Sequence, residues 1–224
     1  MLKEQIKTCF DNAANTYDSV AEIQRKSAKV LMDFLDDRKI SSIIDIGCGT
    51  GNVSLELYKK YPDAEYTFCD ISENMLRIAA EKFPKASKQI CCDAENYEFD
   101  RSYDLAISNL SMQWFSEAEK FIERIKTHCK LFAFSTLLNT SFESYKKLFK
   151  FPPTFKYPTL DEILKITPQQ YAIKRYAIEL DNFFGVARYF KKLGACLKSH
   201  NNPSKLASKN SPIILEYDIF FAVV

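Results

Sequence analysis

Short apolar strands alternating with amphipathic helices predict an α/β protein, a mostly parallel seven-stranded sheet with helices on both faces and an antiparallel C-terminal edge. Three observations carry that expectation. Between residues 41 and 136 short apolar runs recur, separated by stretches of helical spacing. Three of only five glycines fall within DIGCGTG, Asp45–Gly51, where the first strand should hand over to a helix. Beyond Thr136 the alternation changes, and two long apolar segments stand near the end of the chain.

Helical spacing through Ile23, Ser27, Leu31 and Leu35 predicts an amphipathic helix over 21–37. Ser41–Gly47 reads as a buried strand and Val53–Lys60 as a helix. Glu65–Asp70 is the second strand. Ser72 is the expected N-cap of a helix over Glu73–Phe83. Lys88–Asp93 and Tyr103–Asn109 are strands three and four, and a helix over Glu117–Thr127 leads to the fifth, Lys130–Thr136. Phe151–Pro158 is a proline-broken connection, and LDEILKIT is a short helix. Tyr171–Leu180 and Leu215–Val223 read as late strands, with Asp181 capping a helix over Phe183–Lys192 between them.

The bulk numbers bound the answer. A chain of 224 residues, 46% hydrophobic, buries one full-sized core, so residues 1–224 are expected as a single domain. No apolar run reaches the ~18 residues of a membrane span, and the N-terminus shows no secretory pattern, which points to the cytoplasm. The seven cysteines are odd in number and lack C-x-x-C spacing, so free thiols are expected. Net charge is +2, but residues 141–224 carry 13 Lys/Arg against 7 Asp/Glu, while residues 1–140 carry 18 against 22. A basic C-terminal portion suits an acidic partner or a merely solvated surface.

The glycine loop carries the chemistry. Glycine permits positive φ and close approach of a ligand to the backbone. A strand-to-helix turn also presents amides beside the positive end of a helix. The spacing is G-x-G-x-G. Asn52 stands where a dinucleotide fingerprint has its third glycine, and no G-K-[ST] follows. Asp45, just before the glycines, suits an ammonium or a water. Asp70, at the end of the second strand, suits a pair of ribose hydroxyls. Asp93 ends the third strand, placed for an adenine amino group, with Ala94 as a backbone donor. Asn109 and Leu110 end the fourth, where such a sheet opens to its ligand.

Acids at consecutive strand ends, in this order behind this loop, resemble the class I S-adenosylmethionine (SAM)-dependent methyltransferases across about residues 40–136. The resemblance implies their Rossmann-like fold. It implies SAM as cofactor, no metal, and a cofactor site of Asp45, Gly47, Gly49, Gly51, Asp70, Ile71, Met75, Asp93, Ala94, Asn109 and Leu110. Residues 1–37 would then be a helical lid, 40–136 the cofactor-binding core and 137–224 a substrate-side elaboration.

The flanks narrow the resemblance. FDNAANTYDSVAEIQRKSAKVL (Phe10–Leu31), SNLSMQWF (Ser108–Phe115), GVARYFKKLGA (Gly185–Ala195) and the closing EYDIFFAVV together resemble the BioC-type methyltransferases of biotin synthesis. Only the stretch between Cys196 and the last strand looks shorter than in that family. The resemblance implies methylation of the free carboxylate of a malonyl thioester, carried by acyl carrier protein or coenzyme A. Such a carboxylate is ionised at pH 7, so no general base is required. His128 and His200 are accordingly read as structural or solvated.

Tyr17 and Arg188 are the candidate catalytic residues, the first orienting a carboxylate by its hydroxyl, the second by its guanidinium fork. Gln24, Gln113 and Trp114 join them around the acceptor. Lys146, Lys147, Lys150, Lys191, Lys192 and Lys198 would steer an acidic carrier protein. No nucleic acid or membrane partner is expected. Two readings stay open beside this one: a methyltransferase of free, aconitate-type carboxylates, and a SAM-binding partner protein without catalysis.

Overall fold

The computed structural model describes residues 2–85, 87–149, 157–195 and 211–224. Helices α1 (Leu2–Tyr17) and α2 (Glu22–Asp33) precede β1 (Ser42–Ile46), α3 (Asn52–Lys60), β2 (Glu65–Asp70), α4 (Glu73–Lys82) and β3 (Lys88–Cys91). Then come β4 (Tyr103–Asn109), α5 (Ala118–Lys126), β5 (Cys129–Leu137), α6 (Glu143–Phe149) and α7 (Leu160–Ile163). β6 (Gln170–Leu180), α8 (Phe183–Leu193) and β7 (Ile213–Val223) complete the chain.

The seven strands form one sheet in the order β3-β2-β1-β4-β5-β7-β6. β1 to β5 run parallel, and β7 runs antiparallel to both β5 and β6. The central strands are near-continuous apolar runs because helices cover both faces. Two buried clusters result. One holds Leu31, Ile43, Phe68 and Phe221; the other holds Ile44, Phe132, Phe134 and Phe220. Strand order reverses between β1 and β4, so the crevice at their carboxyl ends is where such a sheet binds ligands.

Local chemistry sets the element ends. The Ser72 hydroxyl accepts the Met75 N–H at 3.2 Å and caps α4, as the sequence indicated. α8 departs from expectation: its cap is Asn182, whose side chain accepts the Gly185 N–H at 3.1 Å, and not Asp181. An amide one residue further on has the reach that Asp181 lacks. Helix α2 stops at Asp33, short of the expected 37.

Among the described residues five cysteines are free, but Cys9 is disulfide-bonded, which corrects the expectation of free thiols throughout. His128 stacks at a tilt on Phe99, 5.4 Å between ring centroids, away from the crevice. Most of the Phe151–Pro158 connection, and Lys150, Cys196, Lys198 and His200, lie outside the described residues. No helix among the described residues is long and apolar enough to cross a membrane.

Candidate functional site

The glycine loop lies at the carboxyl end of β1, tied to β2 by Gly47 and Cys48 N–H groups that donate to the Cys69 carbonyl at 2.7 and 3.1 Å. Gly47, Gly49 and Gly51 adopt φ of +67°, +55° and +79°. Each has a different need for glycine. A Cβ on Gly47 would sit 1.9 Å from the Ser111 hydroxyl oxygen, so the loop after β4 closes down there. A Cβ on Gly51 would meet Ala79 of α4 at 3.3 Å. A Cβ on Gly49 would meet nothing within 4 Å, because that backbone faces an open cleft.

Gly47, Gly49, Asp70, Ile71, Asp93, Ala94, Asn109 and Leu110 line this cleft together with Tyr17, Gln24, Gln113 and Trp114. Asp70 is only 8% exposed, and its two oxygens accept the N–H groups of Gly49 and Ser72 at 2.8 Å each. Burial raises its pKa to about 6 against those amides. Asp93 is met by Lys3 of α1 at 3.1 Å, and the same ammonium reaches Glu95 at 2.5 Å. The cleft wall thus holds two carboxylates and one cation already engaged, an environment suited to a cationic ligand with hydroxyl and amino donors.

At the end of β4, Asn109 binds two neighbouring elements, α2 and β5. Its carbonyl oxygen accepts the hydroxyls of Ser27 (2.6 Å) and Ser135 (2.9 Å), and its amide donates to the Gln24 carbonyl at 3.0 Å. Leu110 follows at φ +51°, an uncommon backbone for a branched side chain. Its N–H is satisfied by the Ser135 hydroxyl at 2.9 Å. The buried side-chain oxygens of Gln24 and Gln113 have no protein partner, and a bound N–H donor would satisfy either.

Four predicted site residues stand outside the cleft wall. Asp45 is fully buried behind the loop, one oxygen accepting the Ser54 hydroxyl at 2.6 Å and the other unpartnered. Burial raises its pKa to about 7. Gly51 packs on α4, and Met75, 1% exposed, lies on the inner face of that helix. Arg188 is exposed on the outer face of α8, whose inner residues Phe190 and Leu193 reach the cleft. The sequence-based placement of Arg188 in the acceptor pocket is therefore corrected: helical periodicity sends it away from the residues two and five positions on.

The cleft also holds side chains that sequence reasoning missed. Phe10, Phe142, Tyr157, Phe190 and Tyr217 close it, on α1, α8, β7 and the segments flanking α6 and α7. Phe10 packs edge-on to Trp114 at 5.5 Å, and the Tyr217 hydroxyl donates to that of Tyr189 at 2.9 Å. Burial pushes the Tyr17, Tyr157 and Tyr217 phenols well up, so they stay neutral donors.

Residues 43–131 match a family described as a methyltransferase domain. Over most of its length the chain is similar to three curated proteins named malonyl-[acyl-carrier protein] O-methyltransferase. That of Acetivibrio thermocellus is 31% identical over 96% of this chain and 84% of its own length. One of two from Ilyobacter polytropus is 32% identical over 76% of this chain and 68% of its own. That of Pseudescherichia vulneris is 29% identical over 99% and 97%. Among solved structures, the YcgJ protein of Bacillus subtilis superposes with TM-score 0.63 at 15% identity, covering 88% of this chain and 97% of its own. The plantazolicin methyltransferase BpumL, in complex with SAH, superposes with TM-score 0.53 at 17% identity, covering 99% and 96%. At those identities the two structures speak for the fold.

Proposed function

The chain belongs to the malonyl-[acyl-carrier protein] O-methyltransferase family, and from that premise we propose that it transfers the methyl group of SAM to the free carboxylate of a malonyl thioester, with the acyl carrier protein as the thioester's carrier. The single observation that carries this reading beyond membership is one cleft lined both by the glycine loop with two carboxylates and by aromatic side chains with neutral hydroxyls.

The residues fit SAM. Gly49 faces open space, Asp70 is a buried carboxylate at the cleft wall, and Lys3, the one cation there among the described residues, is already neutralised by Asp93 and Glu95. Asp70 would hold the ribose hydroxyls, Asp93 and the Ala94 amide the adenine, and the loop amides the methionine end. When bound, SAM supplies an electrophilic methyl on a sulfonium.

The protein's own part is positioning. The acceptor carboxylate is already the nucleophile at neutral pH, so no side chain must remove a proton. Tyr17 orients it through a hydroxyl kept protonated by burial. A neutral donor fixes direction without drawing off as much charge as a guanidinium fork would. Trp114, Phe10 and Phe142 exclude water and hold the acyl chain, which raises the effective concentration of the reacting oxygen.

The experiment is a methyl-transfer assay with SAM, comparing malonyl-acyl carrier protein, malonyl-coenzyme A and free dicarboxylates by mass spectrometry. One methyl gained by the malonyl group and lost on ester hydrolysis is expected with the carrier protein. Transfer to free acids alone, or SAM binding with no transfer to any acceptor, would overturn the reading.

A further inference from the structure

Helix α8 separates two environments. Its inner residues Phe190 and Leu193 form part of the cleft wall. On the opposite side Phe184, Arg188 and Lys191 follow one another at i, i+4 and i+7, with Lys192 beside them, and all four are exposed. Phe184 shows half of its surface to solvent, among the most exposed large apolar side chains described.

Every other α-helix carries at least one acidic residue, and in several of them it neutralises a cation of the same helix. In α2 Lys26 is met by Glu22, in α4 Arg77 by Glu81, and in α6 Lys147 by Glu143. Helix α8 contains no acidic residue, and among the described residues none forms an ion pair with Arg188, Lys191 or Lys192. Among the described lysines that the sequence offered for an acidic partner, Lys146 donates to the Asn139 carbonyl and Lys147 is paired, while Lys191 and Lys192 of α8 have no acidic partner.

We propose that the outer face of α8 is the docking surface for the acidic carrier protein that delivers the thioester. Arg188, Lys191 and Lys192 meet its carboxylates, and Phe184 supplies the apolar contact at the edge of the charged patch. The proposal rests on the malonyl-thioester reading. Charge complementarity selects the partner, and position selects the face: the wall whose far side touches the acyl group is one helix, ~10–12 Å, thick. Exposed cations of this kind act chiefly on the rate of encounter and are screened by salt. Arg188, outside the acceptor pocket, acquires a role that its orientation permits.

The test is steady-state methyl transfer by the Lys191→Glu/Lys192→Glu protein and by Phe184→Ser, with malonylated acyl carrier protein and with malonyl-pantetheine, which has no protein surface. The expected result is a rise of about tenfold or more in KM for the carrier protein, a change under about threefold in kcat/KM for malonyl-pantetheine, and loss of the salt dependence seen with the carrier. Lys191→Arg/Lys192→Arg should keep the native KM. Unchanged KM for the carrier protein, an equal loss with both thioesters, or tight salt-sensitive binding of duplex DNA in place of the carrier would overturn the docking face. If the unaltered enzyme methylates neither thioester, the failure belongs to the functional reading itself.

Discussion

Gly49 is the residue at which backbone and ligand requirements meet, since its φ is +55° and a side chain there would project into the cleft. Gly49→Val should abolish SAM binding, adding a left-handed penalty of roughly 1–2 kcal/mol and filling the space. Calorimetry giving near-native affinity would remove the loop from the cofactor site. Asp45 makes a different residue-scale prediction. Its pKa is raised to about 7 by burial, against ~3.9 unfolded. The folded state therefore favours the protonated acid. The cost of ionising it is absent below about pH 4, grows as pH rises, and is complete above the folded pKa. Asp45→Asn cannot ionise, so its stability relative to the native protein should improve from pH 4 to pH 8, by up to about 4 kcal/mol. Denaturant titrations showing a pH-independent difference would mean that Asp45 keeps an ordinary pKa.

At the scale of elements, α1 is fastened by polar staples to the loops that would hold the cofactor. Lys3 reaches Asp93, Asp11 accepts the Ser72 hydroxyl at 2.6 Å, and Asp18 after the helix accepts from Thr50 (2.7 Å), Asn52 (3.2 Å) and Lys82 (2.7 Å). Apart from Lys82, at the end of α4, each partner belongs to a loop or helix start at the crevice, so α1 and these loops order one another. Asp18→Ala should cost about 1 kcal/mol of stability and speed release of SAH about tenfold, with faster amide exchange in α1. Native exchange in α1 alongside a native release rate would show that Asp18 does not hold the lid. The sequence disclosed the strand-end crevice better than the aromatic lining of the cleft, for physical reasons. β2 and β4 have the expected ends because a buried parallel strand is a short apolar run closed by a turn. Gly47, Gly49, Asp70 and Asp93 were legible because each sits beside its own strand end. Phe142, Tyr157 and Tyr217 were not, since they reach the cleft only through the antiparallel return of β7 and the packing around it. Helix α6, only seven residues long, has too few turns to show periodicity. Arg188 misled because a motif fixes position along a helix and leaves open which face meets the cavity.

For the whole molecule, the cleft joins strand ends near the middle of the sheet with a helix from each end of the chain, so occupancy should register as global stability. A ligand present at 100 times its Kd and bound only by the folded state adds ~2.7 kcal/mol. For a chain of this size ~1 kcal/mol moves the midpoint by ~2–4 °C, so SAH should raise Tm by about 5–10 °C. The same measurement sorts the variants. Gly49→Val should show no shift, because it removes the site. Asp18→Ala should show a reduced shift at equal SAH concentration, because the lid is loosened while the loop remains. Lys191→Glu/Lys192→Glu should show the full shift, because the outer face of α8 meets a macromolecular partner and not the cofactor. A lost shift in that last protein would mean that α8 transmits its surface charge to the cofactor end, and one continuous site would then replace the division of α8 into an inner wall and an outer dock.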